Sequence, residues 1–225
     1  MPVEQIKLLK NELAAYKDDL TQKVSWVVCN KIDLLESEDL SVYTKSIQNE
    51  LNIPNGDIFF TDPTYGFMNL SDWSFDESVK ELDFSGVYKF STENGIELIS
   101  NELDLPNGLA LSNDERYLYV NSSNTAEAPV ILRVDLESNN NSELFFDGAE
   151  LAKEYPGNFD GLKVHSSGNI FTTGPNGILV LSEEGKLLAN IKFNDMLTNC
   201  AFNSDESYLY VTGFTSIARI ALKNN

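Results

Sequence analysis

The residues whose types and spacing could do chemistry sit in two short turns, Asn107-Gly108 and Asp160-Gly161. Each turn opens a copy of the same phrase. LPNGLALSNDERYLYV (residues 105–120) begins with the first and FDGLKVHSSGNIFTTG (159–174) with the second. LTNCAFNSDESYLYVTG (197–213) is a third copy and sets Asn199 over the other two. NGDIFFTDPTYG (55–66) matches the back half of the FDG copy and places Gln48 at the equivalent position. An amide oxygen and a carboxylate that share one axis suit a hard cation, which takes oxygen ligands. The same dipeptides are also ordinary turn formers, so the elements around them decide between the two readings.

Those elements are strands. In residues 105–120, alternating apolar residues lead to Asn113-Asp114-Glu115 and then to Tyr117–Val120, which reads as a hairpin. GVYKF with IELIS, VILRVDL with SELFFDG, and ILVLS with LLANIKF form further strand pairs around turns rich in Asn, Glu and Gly. Each hairpin copy is thus followed by a second two-stranded unit. Four strands per repeat, at a spacing of about 40 to 60 residues, predict the blades of a β-propeller. The innermost strand of each blade starts beside the central channel, so equivalent positions in successive blades converge there. Asn107 and Asp160 hold that position, and Asn199 falls near it.

Composition narrows the function classes. The 225-residue chain has a net charge of −19. The acidity is uneven: residues 1–52 carry 6 Lys and Arg against 9 Asp and Glu, and residues 53–225 carry 10 against 26. So acidic a surface repels phosphate backbones, which argues against nucleic acid as a partner. No signal peptide opens the chain and no run of about 18 apolar residues occurs, so the expected location is cytoplasmic, away from membranes. Cys29 and Cys200 lack metal-ligand spacing and read as buried thiols in a reducing compartment. His165, the sole histidine, has no Ser or Cys partner in a recognisable triad and reads as a loop residue. Asp62–Gly66 reads as a turn, with Tyr65 able to reach a substrate entrance.

Residues 1–52 differ from the rest. Apolar positions at three- and four-residue steps predict a helix over residues 3–20, a strand follows over Val24–Cys29, and a second helix runs from near Ser37 to Leu51. Between strand and second helix stands Asn30-Lys31-Ile32-Asp33. This NKxD loop, within LLKNELAAYKDDLTQKVSWVVCNKIDLLESEDL, resembles the guanine-reading corner of the Obg family of GTPases. The resemblance implies nucleotide contacts from Asn30, Lys31 and Asp33. The chain contains no GxxxxGK[ST] loop to hold phosphates, so GTP hydrolysis does not follow.

From residue 54 onward, TDPTYGF, ELDFSGVYKF, LPNGLALSNDERYLYV, FDGLKV, GNIF and LTNCAFNSDESYLYVTG resemble, in order and spacing, the senescence-marker-protein/gluconolactonase/luciferin-regenerating-enzyme superfamily. That resemblance implies a six-bladed lactonase-type propeller with a divalent cation, usually calcium, in its channel. It implies Asn107 and Asp160 as metal ligands, Asp160 as general base toward water, and a lactone or sugar-acid lactone as substrate. Asn199 and Tyr65 would be substrate contacts. Two of the family's four ligands have no counterpart, and the 171 residues after Pro54 fall short of the roughly 270 that six blades need. The expectation is therefore a mainly β chain, a partial propeller of about four blades (53–225) behind a short α/β segment (1–52). Three functions stay open: a calcium-dependent lactonase, a catalytically inert propeller acting as an interaction scaffold with an open, self-associating sheet edge, and a GTP-binding regulator.

Overall fold

The computed structural model describes residues 57–222, apart from 70, 73, 77, 79, 92 and 125–128. The helix–strand–helix reading of residues 1–52, with Cys29, Asn30, Lys31, Asp33 and Gln48, lies outside the described residues. Among the described residues no helix is long and apolar enough to cross a membrane. The chain divides into two units, one holding residues up to Asp62 together with Val87–Ile99, the other Pro63–Gly86 and Ser100–Asn225.

The first unit contains a sheet in the order β1 (Ile58–Asp62), β2 (Gly86–Ser91), β3 (Gly95–Ser100). Phe60 stacks on Tyr88 with ring centres 5.3 Å apart. Lys89 stands between Asp57 and Glu97 at 3.5 and 3.3 Å.

The second unit holds three antiparallel sheets, each laid down in sequence order. The first is β4 (Pro106–Leu111), β5 (Tyr117–Ser122), β6 (Val130–Asp135) and β7 (Asn141–Asp147). The next is β8 (Leu162–Val164), β9 (Ile170–Gly174), β10 (Gly177–Leu181) and β11 (Leu187–Lys192). The last is β12 (Leu197–Phe202), β13 (Tyr208–Gly213) and β14 (Ile217–Ala221). The chain is mainly β as expected, and among the described residues two of the four sheets have the expected four strands while the other two have three. A six-residue helix, α1 (Ala149–Glu154), joins β7 to β8. At this length it shows no periodicity in sequence, and Asp147 fastens its start by accepting the Ala149 N–H at 2.8 Å.

The repeated phrase folds the same way each time. Ser112, His165 and Asn203 each close a turn, donating their N–H to Tyr117, Asn169 and Tyr208 carbonyls at 2.8, 2.8 and 3.2 Å. Three residues on, Glu115, Gly168 and Glu206 take the left-handed conformation, with φ of 60°, 85° and 55°. Two glutamates therefore accept the backbone strain that the glycine of the middle copy avoids. The Asn-rich β6–β7 connection likewise places Asn139 and Asn140 at φ 55° and 57°, the geometry that matches strand twist in a tight hairpin.

Packing follows the period of the strands. The β8–β11 sheet is the centre of the unit, with every residue of β9 and β10 buried. Ile170, Leu179 and Leu181 face one way, into a cluster with Tyr119, Ile131 and Phe159. Phe171, Ile178 and Val180 face the other way, against Cys200, Leu209 and Val211. Successive side chains point to opposite faces, so one apolar strand serves two cores. Burial at this level stabilises by about 1.5–3 kcal/mol per large side chain.

Candidate active site

The first strands of adjacent sheets meet at their starts. Gly108 N–H donates to the Asp160 carbonyl at 2.9 Å, and Gly161 N–H donates to the Thr198 carbonyl at 3.1 Å. A Cβ on residue 108 would stand 2.1 Å from the Asp160 oxygen, and one on residue 161 would stand 2.1 Å from Asn199 Oδ1. Glycine is what lets these strands approach so closely. The residue before each glycine, Asn107 or Asp160, is thereby set at the strand mouth.

This pairing corrects the sequence alignment of the third copy. Asn107, Asp160 and Thr198 each stand five residues before the turn residues Ser112, His165 and Asn203. The register agrees, since Leu109 pairs with Val120 and Cys200 pairs with the corresponding Val211. Thr198, not Asn199, is the counterpart of Asn107 and Asp160, and Asn199 occupies the glycine position. Matching the copies by their asparagines shifted the third by one residue. Asn199 is exposed and turns its Oδ1 back onto the Cys200 N–H at 2.8 Å.

A cavity of about 570 Å³ opens over the mouths of β4 and β8, and Tyr65, Asn107, Ser123, Asn158 and Asp160 provide its polar lining. Tyr65 comes from a single 3-10 turn, Thr64–Phe67. Asn107 Nδ2 donates to Ser123 Oγ at 3.0 Å, and Ser123 Oγ donates to the Phe159 carbonyl at 2.5 Å. The Asp160 backbone is fixed at both ends: its N–H donates to Thr173 Oγ1 and its carbonyl accepts from Asn121 Nδ2, each at 2.9 Å. Asn121 is fully buried and also donates to Thr172 Oγ1 at 2.9 Å, tying β5 to β9 beneath the site.

Burial pushes the Asp160 carboxyl up from 3.8 to about 6, with the Asn107 side chain pulling it partly back through a hydrogen bond. Removing a carboxylate from water disfavours its charge, and that effect dominates here. Burial also raises the Tyr65 phenol. The Ser123 hydroxyl opposes that rise, the Asp160 charge adds to it, and the Asn107 amide opposes it. Tyr65 Oη is buried without a well-formed hydrogen bond to any described residue. A buried hydroxyl with weak protein contacts, in a cavity it shares with a carboxylate, is suited to meet an oxygen of a bound molecule.

Of the residues expected from sequence, the structure brings Tyr65, Asn107 and Asp160 together. Asn199 is not among the residues lining the cavity. His165 lies at a turn, its Nε2 3.4 Å from the Glu206 carboxylate and its ring packed on Phe202. Cys200 is a buried free thiol, which burial raises to about 11. Ser123 and Asn158 were missed by sequence reasoning. Ser123 lies three residues beyond Val120, as the cavity residue Phe214 lies three beyond Val211. The repeat marks that place, but the two side chains share no chemistry.

Among the described residues the cavity's polar lining offers a carboxylate, amides and hydroxyls, with two methionine thioethers but no thiol or imidazole. In type these donors fit a hard cation. Among the described residues no group of three or more His, Cys, Asp or Glu side chains gathers around a common point. A cation held here would therefore complete its shell mainly with water or substrate oxygens.

Comparison with known proteins gives the fold a place. Over 177 residues the chain is 35% identical to a gluconolactonase of Zymomonas mobilis subsp. mobilis, covering 75% of this chain and 48% of that protein. A solved gluconolactonase from Xanthomonas campestris superposes with a TM-score of 0.63 at 26% identity, covering 75% of this chain and 54% of that one. Over 52 residues the chain is 38% identical to the GTPase Obg of Buchnera aphidicola subsp. Schizaphis graminum, covering 23% of this chain and 16% of that protein. The chain spans about half the length of the gluconolactonases it matches. The family model described as the SMP-30/Gluconolactonase/LRE-like region matches residues 27–215, and the chain belongs to that family.

Proposed function

We propose that this chain is a lactonase-type hydrolase with Asp160 as its general base. The observation that carries the reading is a carboxylate, held near neutral pKa by burial, lining the same cavity as a buried tyrosine hydroxyl that lacks a well-formed hydrogen bond. Gluconolactonase and lactonohydrolase relatives support the same class.

In this reading ionised Asp160 accepts a proton from water as the water oxygen adds to the lactone carbonyl carbon. The Tyr65 hydroxyl donates to the carbonyl oxygen as negative charge develops there. Asn107, itself held by Ser123, keeps the Asp160 carboxylate oriented. When the ring C–O bond breaks, the proton on Asp160 passes to the departing ring oxygen, and a hydroxy acid leaves. Asn107 and Asp160 would hold a divalent cation such as calcium, which when bound would supply Lewis-acid polarisation of the carbonyl. Residues 1–52 we read as an Obg-like segment, supported by the local identity to that GTPase. It lends the NKxD loop without a phosphate-binding partner.

The test is lactone opening followed by proton release at constant pH, with calcium and with EDTA, for the natural chain and Asp160→Asn. The substitution should cost about 10²-fold or more in turnover while circular dichroism stays unchanged. Undiminished turnover by a folded Asp160→Asn protein would refute the assignment.

A further inference from the structure

The polar cluster occupies only part of the cavity. Among the described residues the rest of its lining is Met68, Phe75, Leu105, Met196, Leu197 and Phe214, with no Lys, Arg or His. A polyhydroxylated ring needs a partner for each hydroxyl it buries, and each one left without costs binding. Among the described residues five polar side chains are available, and three are already engaged with one another or with backbone: Asn107, Ser123 and Asp160. The lining and the chain's charge of −19 also disfavour an anionic ligand.

A second observation concerns the mouth. Phe214 is 62% exposed and Met196 40% exposed, so neither gains much from its position in folding. Both are nevertheless held in place. Phe214 N–H donates to the Met196 carbonyl at 3.0 Å. Asp195 Oδ2 accepts from Thr215 N–H, Thr215 Oγ1 and Ser216 Oγ at 3.0, 3.1 and 2.6 Å, clamping the β13–β14 turn to the β11–β12 connection. Apolar side chains fixed in water at the lip of a cavity are placed to contact a ligand.

We infer that the cavity selects a neutral lactone bearing an apolar substituent, such as an alkyl chain, over a polyhydroxylated sugar lactone. The lactone ring lies at Asp160 and Tyr65, and the substituent lies along Phe75, Met196 and Phe214. This rests on the lactonase reading for its ring chemistry, while the preference rests on the lining alone.

Binding and turnover separate the two. Calorimetric titration of the full chain uses two unhydrolysed mimics, the lactam of δ-decalactone and the lactam of glucono-δ-lactone. The alkyl lactam should bind about tenfold tighter or more, and Phe214→Ser should reduce that ratio at least about threefold. Equal or tighter binding of the glucono-lactam, binding of neither, or a ratio unmoved by Phe214→Ser overturns the inference. Turnover is measured on the parent lactones. Faster opening of glucono-δ-lactone than of δ-decalactone also overturns it and leaves the lactonase reading standing. An alkyl-lactam preference without turnover of either lactone supports the cavity's selectivity and sinks the lactonase reading.

Discussion

Gly108 and Asp160 are joined backbone to backbone, the Gly108 N–H donating to the Asp160 carbonyl at 2.9 Å across two sheets. The space beside this bond is closed: a Cβ on Gly108 would meet the Asp160 oxygen at 2.1 Å and the Gly161 Cα at 2.9 Å. Both obstacles are backbone and cannot rotate aside. Gly108→Ala should therefore push the strands apart and destabilise the fold by about 2 kcal/mol. Urea unfolding measures this, and a change under about 0.5 kcal/mol would mean that the strands separate without resistance.

Asp160 should make the fold less stable at neutral pH. Its folded pKa of about 6 lies above the ordinary 3.8, so the folded state binds this proton more tightly than the unfolded chain does. The resulting stabilisation is full below pH 3.8 and lost as pH rises through 6. In EDTA, Asp160→Asn should be more stable than the natural chain at pH 8, by on the order of 2 kcal/mol after discounting for partial exposure. The gap should close toward pH 4. Thermal unfolding across that range gives the answer, and a pH-independent difference contradicts it.

Ser123 links Asn107 to the Phe159 carbonyl. Ser123→Ala leaves that buried carbonyl and one Asn107 donor without their partner, at a cost of about 1–3 kcal/mol. With Asn107 less firmly oriented, turnover should fall while KM changes little. A variant with full turnover would show that Asn107 is oriented without Ser123.

Asp195 should govern the mouth rather than the fold. Its carboxylate is held below the ordinary 3.8, first by the Ser216 hydroxyl and then by the Thr215 N–H. The contacts are present above that value and lost as pH falls through the lowered pKa. Asp195→Ala should raise KM several-fold and leave the unfolding midpoint nearly unchanged. A fall in kcat alone would place its influence elsewhere.

The sequence by itself determined a good deal. Hydrophobic alternation and turn residues placed the strand pairs from residue 86 onward, because a strand's period is local and the turns need particular residue types. The repeated phrase also brought Asn107 and Asp160 to equivalent places, since equal spacing from a shared turn fixes an equal place in each sheet. It did not fix Asn199. A shared asparagine outweighed the spacing, and the register puts Thr198 there instead. The helix Ala149–Glu154 was too short to show a period.

The tertiary structure alone decided the environment of these residues. The near-neutral pKa of Asp160 comes from burial under residues far away in sequence, and Asn121 supports its carbonyl from 39 positions earlier. Ser123, Asn158, Met196 and Phe214 line the cavity because several strand ends and loops converge there. No single segment carries that information: local pattern fixes which face a side chain takes, and only packing between sheets fixes what it faces.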